Sequence, residues 1–428
     1  MFLRGFERDG AKTSGFFKLQ KIRTGKNIVF EFMIKNISKK KIVFIGLSGG
    51  VDSAVSAALL KKQGYEVVGV FMRTWHPDFL ECNEEEEHQD AMRVAAHLDI
   101  PFLTFDLADV YKKEVADYMI KEYKAGRTPN PDVMCNKEVK FGAFLKKAIS
   151  MGADYIATGH YAQVCDTSFY FELPEGPNPV IGGRAQGRKI GRSGVNLTQE
   201  RKKSTALHFL GKGIDPSKDQ SYFLWTLKQE QLRKILFPIG HLKKSEVRKL
   251  AKKFNLPVAE KKDSQGICFL GAVDLKDFLK HYIEGKKGKV INEKGKEIGY
   301  HSGVFFHTLG ERHGFTITKK SPNDGAYYVV GKNIKKNILI VSQNRNVSHS
   351  NILTNIRIKN TNWINKIPEP NKNYTAQIRY HSEFLPCKIR CSTSDVEQVI
   401  FKKPILVASG QSCVIYDKNI CLGGGIVV

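Results

Sequence analysis

Residues 41–53 read KIVFIGLSGGVDS, and this stretch decides the fold. KIVFIGL is a short, β-branched, apolar run without alternation, which predicts a strand buried on both faces, as in a parallel sheet. Residues 52–63 then place Val55, Ala58 and Leu59 at helical spacing until Gly64 stops them. Between strand and helix, Gly49 and Gly50 carry no Cβ, so the backbone can turn tightly and approach a ligand. The free N–H groups of the helix N-terminus, and its dipole, favour an anion at that point. The candidate phosphate site therefore runs over Gly46, Leu47, Ser48, Gly49, Gly50, Val51, Asp52 and Ser53. Ser48 and Ser53 add hydroxyl donors, and Asp52 suits a Mg2+ ion that bridges phosphates. The GxxxxGK[ST] pattern with its lysine is absent, and so is GxGxxG. SGGVDS after a strand is similar to the loop of enzymes that split ATP between its α and β phosphates.

Outward from this loop, strand and helix alternate. EVVGVFM (66–72), PFLTFDL (101–107) and DYIATGH (154–160) read as strands, and 86–98, 109–125 and 136–150 as helices. The alternation predicts an α/β, doubly wound parallel sheet with its ligand crevice at the carboxyl ends of the strands. Met72 and Gly159 end two of those strands and are expected to flank the nucleotide. Helical character is expected again at 219–236 and 243–254. After about residue 285 the runs become short, alternating and turn-bounded, which predicts a mainly β half.

The expected organisation is an N-terminal extension without fixed structure (1–38), then an ATP-pyrophosphatase domain (39–271). A small β-rich central domain (272–344) and a C-terminal β-barrel-like domain (345–428) follow. Residues 170–205, rich in Gly, Pro and Arg, read as a basic insertion loop. The chain of 428 residues carries a formal net charge of +25, which points to a polyanionic partner, with nucleic acid first. No run approaches the roughly 18 apolar residues of a membrane span. Residues 1–20 lack the apolar core of a secretory signal. The eight cysteines form no CxxC pair. The expectation is reduced thiols in a cytoplasmic setting, with no metal held by a side-chain cluster.

Two cysteines sit in polar settings. GRTPNPDVMCNKEVKF (126–141) places Asp132 and Cys135 near the start of a helix, where the dipole favours a thiolate, and Asp132 can move a proton. KKDSQGICFLG (261–271) holds Cys268 between Gly266 and Gly271.

Together these segments resemble the tRNA-specific 2-thiouridylases of bacterial type. The resemblance rests on GLSGGVDS, GVFMRTW (69–75), GRTPNPDVMCNKEVKF, ATGHYA (157–162), SKDQSYFLW (217–225), FPIGHLKKSEVR (237–248), SQGICFLG (264–271), IRYHS (378–382) and GQSCVIYDKNICLGGGI (410–426). They occur in family order from residue 41 onward. The resemblance implies that ATP adenylates O2 of the wobble uridine of tRNA. Sulfur then comes from a persulfide on Cys268, with Cys135 as nucleophile and Asp132 as acid/base. Asn130, Pro131 and Asp132 would meet the target base. His160, Lys218, Asp219, Gln220, Arg379, Tyr380 and Gln411 match positions that touch tRNA. ATP with Mg2+, tRNA and a sulfur-donor protein are the implied cofactor and partners. Whether the two thiols pair as a disulfide between turnovers stays open at this stage, and so does the oligomeric state.

TLGERHGF (308–315) departs from the family pattern, and the 170–205 loop is longer than expected. An amidating or ligating synthetase, and an RNA-binding protein with a vestigial site, are the competing readings. The second cysteine loop and the basic β half count against the first; intact Asp52, Asp132, Cys135 and Cys268 count against the second.

Overall fold

The computed structural model describes residues 18–24, 27–33, 40–80, 83–166, 207–263, 274–319, 324–344, 352–390 and 396–428. A parallel sheet organises the first half. Its strand order is Phe102–Asp106, Glu66–Arg73, Ile42–Gly46, Tyr155–Ala157, Ile235–Leu236. Every neighbouring pair is parallel. The chain winds outward one way from the Ile42–Gly46 strand and then the other, so the crevice beyond that strand is the topological switch point where such sheets bind ligands.

The unbroken apolar character of Ile42–Gly46 has a plain cause, because all five residues are buried. Val43 and Ile45 face a core that includes Val55, Leu60, Val247 and Ala251, contributed by helices Val51–Lys62 and Lys244–Lys253. Phe44 faces the opposite core, with Met72, Phe105, Tyr111, Met119, Cys135 and Phe144. Those residues belong partly to two long helical runs, 108–124 and 131–150. Both contain π-helical stretches, Lys112–Asp117 and Cys135–Phe144. A π-helical stretch is rare and most often found at functional sites.

The central sheet runs Phe315–Ile317, Glu297–His301, Gly288–Ile291, Ile338–Ser342, Tyr328–Asn333. The C-terminal strands Ile352–Trp363, Val396–Leu406, Leu385–Arg390, Tyr374–Gln377, Ser412–Asp417 and Ile420–Val427 pair in that order. The first also pairs with the last, which closes the sheet into a barrel.

Three features differ from the sequence reading. Residues 219–236 are not one helix: a short 3-10 turn (Ser221–Leu224), one helical turn (Gln229–Leu232) and a strand (Ile235–Leu236) replace it. Their apolar residues are almost all buried, so packing of the segment on several elements overrides the helical character of its sequence. Strands Ala162–Asp166 and His208–Lys212 leave the parallel sheet and extend the C-terminal one, with Ile420 opposite Gly211. The catalytic and C-terminal units therefore share a sheet across the expected boundary. Within the expected extension 1–38, Lys18–Thr24 and Asn27–Met33 pair as antiparallel strands. The 170–205 insertion, Cys82, Cys391 and the segment 264–273 with Cys268 lie outside the described residues. No helix among the described residues is long and apolar enough to cross a membrane.

Candidate active site

The phosphate loop leaves the buried strand at Gly46 and enters helix Val51–Lys62 at Gly50. The Leu47 amide still pairs with the Val70 carbonyl at 2.8 Å, so the turn begins only at Ser48. Gly49 takes φ +68°, and a Cβ there would lie 2.5 Å from the Glu87 carbonyl oxygen, so only glycine fits. Gly50 is extended and offers no side-chain cap, so no N-cap side chain satisfies the first helical N–H groups. The Ser53 hydroxyl donates to the Gly50 carbonyl at 3.1 Å and sits 3.3 Å from both the Ser48 amide and its hydroxyl.

Met72 and Gly159 bound this loop. A Cβ on Gly46 would come within 2.9 Å of the Met72 methyl, and one on Gly159 within 2.8 Å of the Ser53 amide. Both strand ends thus press on the loop, one at its start and one at the first helical turn.

Asp52 does not stand alone. It accepts from the Tyr161 hydroxyl at 2.8 Å and from the Lys244 ammonium at 2.8 and 2.9 Å. Burial, and then the neighbouring Asp52, push the Tyr161 phenol far above its usual range, so it stays a donor. Lys244 also reaches Asp263 at 2.8 Å, and Asp263 takes Lys218 at 2.8 Å and Arg248 at 2.6 Å. Burial opposes ionisation of Asp263, but the hydrogen bonds from Lys218 and Lys244 outweigh it and hold the carboxyl well below the carboxylate range. Tyr161, Lys244, Arg248 and Asp263 were not singled out by sequence reasoning. Ordinary spacing rules gave no signal for them, because their partners lie far along the chain. Among the described residues no group of three or more His, Cys, Asp or Glu is placed to hold a metal ion.

The second half of the site is the loop into the Pro131–Ser150 helical run. Gly126 has φ +74° and abuts Ile334, and its carbonyl accepts from Lys332 at 3.1 Å. Lys332 also donates to the His307 carbonyl at 2.8 Å. Burial lowers its pKa to about 8, against an opposing pull from Glu311. Arg127 pairs with Glu122 through two nitrogens at 2.5 and 2.6 Å. The Thr128 amide donates to Ser409 of the barrel at 2.8 Å, and its hydroxyl lies 3.3 Å from that of Thr308 in the central domain. All three domains therefore fix the same five-residue approach.

Asn130 then caps the helix, its Oδ1 accepting from the Val133 amide at 3.2 Å, with Pro131 at the first helical position. Asn136 donates to the Asp132 carbonyl at 2.9 Å. Asn130, Pro131 and Asp132 are partly exposed, whereas Cys135, one turn in, is fully buried. Phe144, at the far end of the π-helical stretch, lies 3.9 Å from the Cβ position of Gly46. The helix that carries the thiol therefore packs against the start of the phosphate loop.

The expected tRNA-contact positions divide. Lys218 is partly exposed, with its ammonium on Asp263. Tyr380 is half-buried, 4.3 Å from the Phe223 ring and stacked 3.9 Å from the exposed His381. His160 is buried, bonded to Thr158 at 2.7 Å, and burial followed by Lys140 keeps its imidazole well below its usual pKa. Asp219 is buried and accepts from the Gly213 and Ser221 amides at 2.9 and 3.1 Å. The Gln220 side chain accepts from the Tyr161 amide at 3.0 Å. Arg379 donates to the Leu309 carbonyl at 2.5 Å, bridging the barrel to the central domain. The Gln411 side-chain amide oxygen is buried and has no hydrogen-bond partner among the described residues.

Comparisons with known proteins cover most of the chain from residue 41 to residue 427. Three family models match in succession: a "tRNA methyl transferase HUP domain" over residues 41–272, a "tRNA methyl transferase PRC-barrel domain" over 276–343 and an "Aminomethyltransferase beta-barrel domain" over 353–427. The tRNA-specific 2-thiouridylase MnmA of Buchnera aphidicola is 43% identical over 400 residues, which is 91% of this chain and 98% of that one. Its counterpart in Shewanella halifaxensis is 42% identical over 394 residues, 90% of this chain and 96% of that one. The protein of the same name in Nitrosomonas europaea is 40% identical over 396 residues, 91% of this chain and 98% of that one. With near-complete coverage on both sides at this identity, the chain belongs to the MnmA family of tRNA-specific 2-thiouridylases.

Proposed function

We propose that this chain thiolates the wobble uridine of tRNA at C2, activating O2 with ATP and supplying sulfur from a cysteine persulfide. The observation that supports this best is the packing of the Cys135 helix on the phosphate loop: Phe144 lies 3.9 Å from the Cβ position of Gly46, and Phe144 and Cys135 share one core with Met72. The relatives are named tRNA-specific 2-thiouridylases, which supports thiolation of a tRNA uridine.

The chemistry follows from the residues. O2 of uracil is a poor leaving group, and transfer of AMP from ATP makes it a good one, with pyrophosphate released. The uncapped helix N-terminus at Gly50 and the Ser48 and Ser53 hydroxyls hold the phosphates. The phosphate loop itself carries one carboxylate, Asp52, already paired with Lys244. Asp52 would be the loop's contribution to a Mg2+ ion brought with the nucleotide, and that ion would supply charge neutralisation. The uridine must leave the anticodon stack to reach this crevice. Asn130, Pro131 and Asp132 form the partly exposed rim that would meet it, and Asp132 would move the proton.

Sulfur arrives as a persulfide on Cys268. Its terminal sulfur attacks C2 and expels AMP. Cys135 then attacks the inner sulfur, so the thiolated base departs with two electrons and the two cysteines are left as a disulfide. A thiol reductant and a sulfur-donor protein restore the cycle. Full burial of Cys135 keeps water from the nucleophile between turnovers. The net charge of +25 supports phosphate contacts with tRNA, to which Lys218 and Tyr380 contribute from the surface. Work in the cytoplasm suits a chain that depends on reduced thiols.

Nucleoside mass spectrometry of tRNA incubated with the chain, ATP, Mg2+ and a persulfide source tests this reading. Formation of 2-thiouridine with one AMP per modified base is expected. AMP release without any sulfur in the tRNA would overturn it.

A further inference from the structure

The phosphate loop contains no lysine, yet the fold brings one to it from 192 residues further on. Lys244 opens helix Lys244–Lys253, which packs on helix Val51–Lys62 through Val247 and Ala251. Its side chain is mostly buried, 16% exposed, so its ammonium is not a freely solvated surface charge. The backbone amide of Lys244 is tied as well, donating to Asp215 at 2.9 Å. The ammonium meets two carboxylates at 2.8 Å: Asp52 in the phosphate loop and Asp263, five positions before Cys268 in the sequence. Around them stand Tyr161 on Asp52, and Lys218 and Arg248 on Asp263. Asp263 therefore keeps two cations if Lys244 is removed, whereas Asp52 keeps only a phenol hydroxyl among the described contacts.

We infer that Lys244 is a positioning residue for the reaction, one ammonium that orients Asp52 in the phosphate loop while tying that loop to Asp263. This rests on the proposed function, since it gives Asp52 its work on the nucleotide. The asymmetry of partners sets the direction of the effect. Loss of Lys244 leaves a partly buried carboxylate beside the triphosphate, where it repels the nucleotide, while the Asp263 end stays neutralised. Arginine can span both carboxylates with its fork but cannot reproduce the geometry of an ammonium. Asp263→Asn releases the tie while leaving the Lys244–Asp52 pair, so nucleotide binding survives it.

The test is calorimetric binding of ATP with Mg2+ to the full chain, alongside steady-state KM for ATP and kcat for tRNA thiolation. It uses Lys244→Met, Lys244→Arg and Asp263→Asn. A charge-assisted contact of this kind corresponds to about tenfold in affinity. Lys244→Met is expected to weaken ATP binding and raise KM by about that factor, with Lys244→Arg partly restoring both. Asp263→Asn is expected to keep the ATP affinity within about twofold while lowering kcat. Unchanged ATP affinity in Lys244→Met overturns the inference. So does an equal loss of ATP affinity in Asp263→Asn, or a fall in Lys244→Met that tracks only a lower unfolding temperature. The calorimetry reads the inference even where no thiolation occurs, so failure of the functional reading appears separately, as wild-type chain that binds ATP but makes no 2-thiouridine.

Discussion

Substitution of Gly49 by alanine separates two physical costs at the phosphate loop. The residue has φ +68°, a conformation that costs an L-residue about 1–2 kcal/mol. Its new Cβ would also lie 2.5 Å from the Glu87 carbonyl oxygen, where even a close C···O contact needs about 3.3 Å. The obstacle is backbone in helix Glu84–His97, not the end of a flexible side chain, so the loop must move by most of an ångström. Gly64 supplies the control. It has φ +91°, but a Cβ there meets nothing within 4 Å. Gly64→Ala should therefore cost only the conformational term, about 1–2 kcal/mol of unfolding free energy, with ATP binding unchanged. Gly49→Ala should cost at least as much and in addition weaken ATP binding by about tenfold or more, since displacement re-aims the amides that face the phosphates. Guanidinium unfolding and calorimetric titration with ATP measure the two quantities on the same samples. Equal ATP affinities in Gly49→Ala and wild type would refute the reasoning, because the loop would then tolerate the shift that the Glu87 contact imposes.

The remaining expectations concern the thiols, the loop clamp and the RNA. Cys135→Ser and Cys268→Ser should each abolish 2-thiouridine formation while leaving tRNA affinity by filter binding within about threefold, a range of under 1 kcal/mol; activity in either variant removes the two-thiol scheme. Lys332 ionises at about 8 in the folded chain, against 10.5 ordinarily. The unfolded chain therefore holds more protons between those values, and the residue's contribution to stability rises with pH across that window. In Lys332→Met that rise should disappear, so the unfolding free energy of wild type should gain about 1–3 kcal/mol on the variant between roughly pH 8 and pH 10; a constant difference across the window would count against the burial of this ammonium. Lys218→Ala should weaken tRNA binding and make the dependence of log affinity on log salt shallower by about one unit, and an unchanged slope would take Lys218 off the RNA surface.

Local features of this protein were legible one residue after another. A strand that is apolar at every position must be covered on both faces, and Val43, Phe44 and Ile45 are. Two adjacent glycines between strand and helix must make a tight turn, and Gly49 does so at positive φ. The helix expected over 136–150 starts earlier, at Pro131, because Asn130 caps it through the Val133 amide and Pro131 suits the first helical position. Signals of the first two kinds act through neighbours in the chain, so the sequence alone determined the parallel sheet and the phosphate loop.

What the sequence did not determine depends on where the chain travels after those elements end. Lys244 became a partner of Asp52 because its helix packs on the loop's own helix, and nothing within ten residues of either announces the pair. The Gly126–Asn130 approach is held by Lys332 and Ser409, supplied by two later domains. Arg379 and His160 carry charge or polarity in the sequence, yet the fold spends one on the Leu309 carbonyl and encloses the other beside Thr158. The strands Ala162–Asp166 and His208–Lys212 were not read from the sequence, and pairing with Ile420–Val427 decided which sheet they joined. Ion pairs and edge pairings are fixed by distance in space, and distance in space is set by the packing of whole elements rather than by the residues that finally meet.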